Sequence, residues 1–443
     1  MSSYTSPIQK MAQKFAYADI ATQAANLQNE QAELDAESNG LDSLSTALTD
    51  FQTAIDALNS DTDGPLTFSA TSNNESNTVS ANSQAQAGTY SFYVSALAQA
   101  QQTTYSITDG LYDATGTFEL TMDGSSMDID LSAADQNGDK DGFIDASELV
   151  DAINDSDDNP GVTAALVKTG DTTTIMLTSE TTGQQSQFSV SVEGNTELSD
   201  AMTASKQEIT TAQDAEIHLG NQTGPVITSS TNTFDDVIPG VTMTFSEASD
   251  PADPYDVTTF TVAEDSGGSQ AKVQTFVDAY NTLIDTIDSL TSYGDDDTAA
   301  GVFAGDAGMK SLANQMDDIA HASYGGVSIV DYGITLDSDG HLQIDSTQFT
   351  EEMEENPDGL TSIFVGDDSM VAQMDDLMDS YLDSSTGIIT MRQQNITDQQ
   401  DKISDEGNQL TETYNTNYDR YVEEYTNTLI EVYTMKVSMA AFM

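Results

Sequence analysis

Residues 20–58 read IATQAANLQNEQAELDAESNGLDSLSTALTDFQTAIDAL, a stretch in which apolar residues recur every seven positions. One heptad position is filled by Ile20, Leu27, Leu34, Leu41, Leu48 and Ile55, and a second one by Leu44, Phe51 and Leu58. A sustained seven-residue repeat predicts a long helix whose apolar seam packs against a partner helix. The turn-forming residues 61–65 (DTDGP) are expected to follow the end of this helix.

The same spacing returns near the other end of the chain. The apolar residues there are Ile389, Ile396, Ile403 and Leu410 and then, shifted by one residue, Tyr418, Tyr425, Val432 and Met439. Because an amphipathic helix has to bury its apolar stripe, we expect the two ends to pair in antiparallel orientation. The alternative is two separate helices on a globular core. Residues 429–443 carry apolar and Met residues around more of the helix, which predicts an assembly surface between subunits.

The middle of the chain has a different composition. Residues 73–265 are rich in Ser, Thr, Gly and Asn. Alternating runs typical of strands lie at 89–94, 118–122 and 173–178. One short helix is predicted at 146–154, a long helix resumes near Val273, and residues 333–344 predict a hairpin.

These patterns predict an α+β fold, in which paired N- and C-terminal coiled-coil-like helices form a helical stem with inserted β-rich domains. Residues 1–65 with 270–443 are assigned to the stem and to a core of helices and the hairpin. Residues 73–110 with 200–265 are assigned to one inserted β-rich domain. Residues 111–199 are assigned to a second one.

The composition argues against several functions. Eleven Lys and Arg stand against 75 Asp and Glu, and the resulting net charge of −64 repels nucleic acid and anionic membranes, so neither is an expected partner. The chain has no Cys, and its histidines, His218, His321 and His341, are far apart in sequence, so no enzymatic site is expected. No apolar run is long enough to cross a membrane and no signal peptide is recognisable, which predicts a dedicated route if the protein is exported.

Residues 137–148 (NGDKDGFIDASE) fit a twelve-residue calcium loop of the EF-hand type. The predicted Ca²⁺ ligands are Asn137, Asp139, Asp141, the Phe143 carbonyl, Asp145 and Glu148. Gly142 would make the sharp turn at the sixth position. A loop that starts at Asp135 does not fit the spacing, because Lys140 would replace the glycine. A strand is expected to enter the loop and a helix to leave it, which favours a static clip; the competing interpretation is an acidic turn.

Five further segments carry a recognisable pattern: 232–245 (NTFDDVIPGVTMTF), 88–101 (GTYSFYVSALAQAQ), 276–283 (FVDAYNTL), 301–306 (GVFAGD) and 332–342 (YGITLDSDGHL). Together they resemble the flagellar hook-associated protein 2 family, the filament caps. The resemblance implies a ring-shaped homo-oligomer at the growing filament tip that helps flagellin subunits fold into place. It also implies an extracellular location after type III export without a cleaved signal peptide.

Further partners follow from the same resemblance. They are flagellin, the hook-filament junction protein and a cytoplasmic export chaperone, the last expected at the C-terminal helix. A calcium-dependent bacterial surface adhesin, with β modules that bind glycans, is the alternative function. The heptads at both ends favour the cap, because an adhesin stalk would show repeated β modules and the sequence contains no internal repeat.

Overall fold

The computed structural model of the chain describes residues 7–60, 62–108, 111–135, 141–169, 172–294 and 298–441. The chain forms two compact units. The helical unit comprises Met1–Pro65 with Ser266–Met443, and the β-rich unit comprises Leu66–Asp265. Helical ends and a β-rich middle confirm the predicted α+β class.

The elements follow one another in a simple order. The chain opens with α1 (Pro7–Leu58). The β-rich unit then contains β1 (Phe68–Ser72), β2 (Thr78–Ala81), β3 (Gly88–Ala96), β4 (Gln102–Ile107), β5 (Thr117–Met122), β6 (Ser125–Asp130), α2 (Leu131–Ala134), α3 (Ala146–Asn154), β7 (Val162–Thr169), β8 (Thr172–Ser179), β9 (Phe188–Glu193), α4 (Thr196–Ser205), β10 (Gln207–Thr210), β11 (Ala215–Leu219), β12 (Val226–Ser229), β13 (Thr233–Ile238), β14 (Val241–Thr244) and β15 (Thr258–Glu264). The helical unit resumes with α5 (Ser266–Thr291), α6 (Ala307–Ala320), β16 (Ile334–Leu336), β17 (Leu342–Ile344), α7 (Ser346–Glu355), α8 (Pro357–Phe364), α9 (Met370–Leu382) and α10 (Ile388–Ala441).

The two long terminal helices, α1 and α10, pair with each other in antiparallel orientation. The Tyr421 hydroxyl donates to Asp19 Oδ2 at 3.0 Å, near the start of α1, and Gln393 Nε2 donates to Asp42 Oδ1 at 3.0 Å, further along α1. Contacts therefore move toward lower numbers in α10 as they move toward higher numbers in α1. The predicted pairing of the ends is confirmed, and the alternative of two separate helices is wrong.

The second half of α1 lies in the main core of the helical unit. Phe51 is fully buried, with its ring centroid 5.9 Å from that of Phe276 and 6.1 Å from that of Tyr280, both on α5. Phe276 in turn contacts Phe364 of α8 at 5.4 Å. Burial raises the pKa of the Tyr280 hydroxyl, which has no hydrogen-bond partner among the residues that the structure describes. Aromatic rings from three helices therefore stabilise this core.

Gly40 lies in the middle of α1 without interrupting the helix. A Cβ atom at this position would be 2.7 Å from Val302 Cγ2 and 2.9 Å from Phe303 Cε2. The glycine therefore permits the segment after α5 to pack directly on the α1 backbone, a reason for glycine that overrides its low helix propensity.

The β-rich unit contains two hydrophobic clusters between antiparallel sheets. The first cluster lies on a five-stranded sheet, in the order β1-β15-β3-β11-β12, and a three-stranded sheet, β13-β14-β2. Its centre is a group of aromatic rings: Phe245 lies 5.5 Å from Phe260, 5.6 Å from Phe234 and 6.2 Å from Phe92. Alternating burial along β15 directs Phe260 and Val262 into this cluster.

The second cluster lies on the sheets β10-β4-β8-β7 and β6-β5-β9, and it includes residues of α3 and α4. Its buried members include Tyr105 of β4 and Met202 of α4. The predicted boundaries at 110/111 and 199/200 placed both residues in the first inserted domain. The structure differs because β4 pairs along its whole length with β8 and on its other side with β10, so these strands share the core of residues 111–199.

Candidate functional site

The predicted coiled-coil residues are buried in the second half of α1 and at the start of α10, and they are exposed at the C-terminal end of α10. Leu41, Leu48 and Ile55 are fully buried, and Leu34, Ile389 and Ile396 are nearly so. Leu27, Ile403, Leu410 and Tyr425 are half-buried, whereas Val432 and Met439 are exposed. The heptad pattern thus identifies one face, and only part of that face is covered within this chain.

Polar residues separate the two regions of the helix pair. A groove of about 480 Å³ is lined by Gln23, Asn26, Leu27, Glu30, Glu406, Gln409, Leu410 and Thr413. Only Leu27 and Leu410 among these residues are apolar. The two helices therefore bury little apolar surface at this groove, and their pairing is stabilised mainly by the contacts on either side of it.

Aromatic contacts join the helices beyond this groove. The ring of Phe15 lies 5.7 Å from that of Tyr421 and 5.8 Å from that of Tyr425. The Arg420 guanidinium stands 4.8 Å from the centre of the Tyr421 ring and 3.6 Å from Asp19 Oδ2. Phe15 lies outside the predicted seam, and an aromatic residue facing a Tyr repeat was the signal that could have identified it.

The last part of α10 presents an apolar tip. Its members are Leu429, Ile430, Val432, Tyr433, Met435, Val437 and Met439, which are between 53% and 71% exposed. At about 100° per residue these side chains cover an arc of about 220° of the helix. A helix on the surface of a globular protein needs a much narrower apolar stripe. An exposed apolar surface of this width is typical of sites that contact other proteins.

An ion pair fixes the start of α10 to α6. Arg392 Nη1 and Nη2 donate to Asp306 Oδ2 and Oδ1 at 2.7 and 3.1 Å, and Asp306 also accepts from the backbone N–H groups of Gly308 and Met309. The hydrogen bonds from Arg392 lower the pKa of Asp306 below its ordinary value. Because two parallel hydrogen bonds join the guanidinium and the carboxylate, this ion pair is stronger and more specific in geometry than a single-contact surface ion pair.

The calcium loop predicted from the sequence is described in part. Asn137 and Asp139 lie outside the described residues. Asp141 is exposed, and its Oδ1 accepts from the Phe143 N–H at 2.9 Å. Glu148 is 4% exposed and its Oε2 accepts from the Asp145 N–H at 2.9 Å, which forms a capping box with Asp145 at the start of α3.

Asp135, which the sequence spacing excluded, reaches this loop. Its Oδ2 accepts from the Gly142 N–H at 3.1 Å, and Gly142 has a φ of +86°, in the region that glycine adopts without strain. The helix α2 precedes Asp135, so the expectation that a strand enters the loop is wrong. The four-residue helix turns the chain back and brings Asp135 toward residues 141–145.

The second half of the loop is held rigidly. The Ile144 N–H donates to the Tyr112 carbonyl at 2.9 Å, the Ala114 N–H donates to the Gly142 carbonyl at 2.8 Å, and Ile144 is fully buried. Within the described ranges, no group of three or more His, Cys, Asp or Glu side chains is placed to hold a metal ion by itself. The calcium site stays a prediction.

No described helix combines the length and the apolar character needed to cross a membrane. Even α10, the longest helix in the described ranges, has a polar middle.

Comparisons with known proteins identify the family. A model of the flagellar hook-associated protein 2 C-terminus matches residues 212–434, and a model of the N-terminus of the same family matches residues 6–101. Lateral flagellar hook-associated protein 2 of Vibrio parahaemolyticus is 34% identical over 373 residues, which are 82% of this chain and 82% of the relative. B-type flagellar hook-associated protein 2 of Pseudomonas aeruginosa is 31% identical over 265 residues, 55% of this chain and 54% of the relative.

A solved structure agrees with these relatives. The D1-D2-D3 domains of the flagellar cap protein FliD from Escherichia coli match with a TM-score of 0.67 and 26% identity, covering 81% of this chain and 99% of that one. The terminal helices pair, a β-rich unit lies between them in sequence, and both family models match; the chain therefore belongs to the flagellar hook-associated protein 2 family, the caps of the flagellar filament.

Proposed function

We propose that this protein caps the flagellar filament as a ring-shaped homo-oligomer whose subunits associate through the apolar tip of α10. The ring sits outside the cell at the filament tip and promotes the assembly of flagellin. The observation that carries this proposal is the apolar tip, with seven large apolar side chains exposed on about a dozen consecutive residues.

The width of the apolar arc supports an assembly larger than a dimer. A single partner helix covers only a narrow stripe of a helix surface. Because the apolar arc spans about 220°, apolar side chains would stay exposed on both sides of that stripe. Contacts with two neighbours in a closed ring cover both flanks at once. The opposite face of the helix carries Glu431, Thr434 and Ser438, which suit contact with water.

The charge of the chain shapes how it assembles. At a net charge of −64, copies of this protein repel each other over the Debye length, which is about 8 Å at physiological ionic strength. Residues 429–439 contain two charges, Glu431 on the polar face and Lys436 within the apolar arc. Burial of the seven apolar side chains opposes the repulsion where the helices meet. Assembly should therefore strengthen as salt is added, the reverse of what an ion-paired interface would do.

The remaining partners belong to the same proposal. The protein leaves the cell through the type III route of the flagellum. A cytoplasmic export chaperone covers the apolar tip before export, because such a surface promotes aggregation while it is exposed. The hook-filament junction protein is the partner below the cap when no flagellin has yet been added. None of the comparisons supports the adhesin alternative.

Matched pairs of charged substitutions test the apolar tip. Val432→Asp with Met439→Asp adds two charges to the apolar arc, and Thr434→Asp with Ser438→Asp adds the same two charges to the polar face of the same helical turns. Sedimentation velocity at physiological salt should show a shift from oligomer to monomer for the first pair only. Equal sedimentation of the first pair and the wild type would mean that the subunits associate elsewhere.

A further inference from the structure

We propose that Met435 and Met439 are oxidation sites in the apolar tip, and that their conversion to methionine sulfoxide by hydrogen peroxide weakens the association of subunits. This inference rests on the proposed function, because it adds a means of regulation to the same surface. The two sites themselves are identified by their exposure and spacing on α10, which do not depend on any assembly.

The methionines of this chain differ sharply in exposure. Met1 and Met443 lie outside the described residues. Most of the others are buried in the cores of the two units, and Met176 is half-buried. The exposed methionines of the described ranges are Met11, Met391, Met435 and Met439. The last two are the most exposed, at 63% and 69%, and both belong to the apolar tip. Oxidants dissolved in water therefore reach these two thioethers first.

The spacing of the two methionines places them on one side of α10. Val432, Met435 and Met439 follow one another at intervals of three and four residues, so their side chains form one stripe along the helix. All three are more than half exposed. A change in the polarity of both methionines therefore alters a full stripe of the apolar arc, over two turns of the helix.

The modification is a transfer of one oxygen atom. A lone pair on the thioether sulfur attacks one oxygen of hydrogen peroxide, an S–O bond forms and the O–O bond breaks. The departing hydroxide takes up the remaining proton, so the products are the sulfoxide and water. The sulfur loses two electrons and the peroxide gains them. The product is a polar side chain with a strong hydrogen-bond acceptor in place of an apolar one.

This change acts on association and not on the fold of the subunit. In the separate chain both side chains face water, which solvates the sulfoxide oxygen as readily as it surrounds the thioether. When the apolar tip is covered by apolar side chains of a neighbouring subunit, the same oxygen is buried without a donor, which is unfavourable. Methionine-rich contact surfaces are disrupted in this way. Association should in turn protect both methionines from oxidation.

Sedimentation velocity of the full chain before and after oxidation tests the proposal. The protein is treated with hydrogen peroxide, the peroxide is removed with catalase, and peptide mapping by mass spectrometry identifies each oxidised methionine. We expect oxidation of Met435 and Met439 to raise the protein concentration needed for association by about tenfold or more. Treatment with the two methionine sulfoxide reductases, one for each sulfoxide epimer, should restore association.

Two double variants separate these sites from the other methionines. Each is compared with itself before and after peroxide. Met435→Leu with Met439→Leu removes both thioethers and should lose little association on oxidation. Met11→Leu with Met391→Leu removes the exposed thioethers outside the apolar tip and should lose as much as the wild type. Circular dichroism establishes that every oxidised chain is folded.

The outcomes distinguish this inference from the proposed function. Unchanged association of wild type with both methionines converted, or an equal loss in the Met435→Leu, Met439→Leu chain, would overturn the oxidation sites. If Val432→Asp with Met439→Asp dissociates the unoxidised protein, only the inference about oxidation falls in those cases. If that variant associates like the wild type, the apolar tip is not the contact surface and both proposals fall.

Discussion

Replacing Phe51 with alanine should destabilise the helical unit and leave the β-rich unit unchanged. Phe51 is fully buried and contacts Phe276 and Tyr280, so the substitution removes a large side chain from packed rings and leaves a cavity. Truncating a buried phenylalanine costs about 3–5 kcal/mol. In a unit of this size, each kcal/mol lowers the melting temperature by about 2–4 °C, which gives a loss of about 6–20 °C.

Differential scanning calorimetry is the assay, because it separates the melting of two units in one chain. Phe245→Ala provides the matched control: this ring is 1% exposed and contacts Phe92, Phe234 and Phe260 in the β-rich unit. We expect two transitions, with Phe51→Ala lowering one and Phe245→Ala lowering the other. Circular dichroism during the same heating assigns the transition that loses most helical signal to the helical unit.

One outcome would refute this reasoning. A single transition that both substitutions lower by the same amount would mean that the chain unfolds as one cooperative body. The two units would then not have separate cores, and the paired terminal helices could not be treated as a unit in their own right.

Three further predictions concern the helical unit. Tyr280→Phe removes a buried hydroxyl with no described partner and should raise the free energy of unfolding by about 1 kcal/mol in urea titrations; a loss of stability would reveal a partner for that hydroxyl. Gly407→Ala, in α10, adds a Cβ with no neighbouring residue within 4 Å and should stabilise the protein by about 0.5–1 kcal/mol. Gly40→Ala should lose this gain, because its Cβ would meet Val302 and Phe303. Equal effects of the two substitutions on stability would contradict the close packing at Gly40. Because Arg392 lowers the folded-state pKa of Asp306, the stability that this carboxylate contributes is present above its unfolded pKa and is lost as pH falls through its folded pKa. The urea midpoints of wild type and Asp306→Asn should therefore differ at neutral pH and converge at acidic pH. A difference that does not depend on pH would contradict the ion pair.

The terminal helices were the most predictable part of the fold. The seven-residue spacing of Leu41, Leu48 and Ile55 identifies the face that α1 buries, and the structure confirms the pairing of the ends. The same period could not show that burial fades toward Val432 and Met439, because a repeat specifies a face and not what covers it. Coverage depends on the length of the partner helix and on other subunits.

Strand pairing and the calcium loop were harder to predict. β4 and β10 are about a hundred residues apart in sequence, and composition contains no signal that they share a sheet. The helix α4 lies in a Ser- and Thr-rich stretch, where its signals were the cap Asn195 and the i, i+4 pair Leu198 and Met202. Asp135 was excluded because loop spacing is counted along the chain, whereas α2 folds the chain back and brings this carboxylate to Gly142.

The capping function is tested most directly by the state of the flagellin that a bacterium releases. A strain lacking this gene is complemented with the wild type, with Val432→Asp and Met439→Asp, or with Thr434→Asp and Ser438→Asp, and monomeric flagellin in the medium is quantified against flagellin in filaments. We expect the deletion strain and the Val432/Met439 variant to shed monomeric flagellin, and the wild type and the Thr434/Ser438 variant to retain it in filaments. Normal filaments in the deletion strain, without shed flagellin, would contradict the capping function, and normal filaments with the Val432/Met439 variant would contradict assembly through the end of α10.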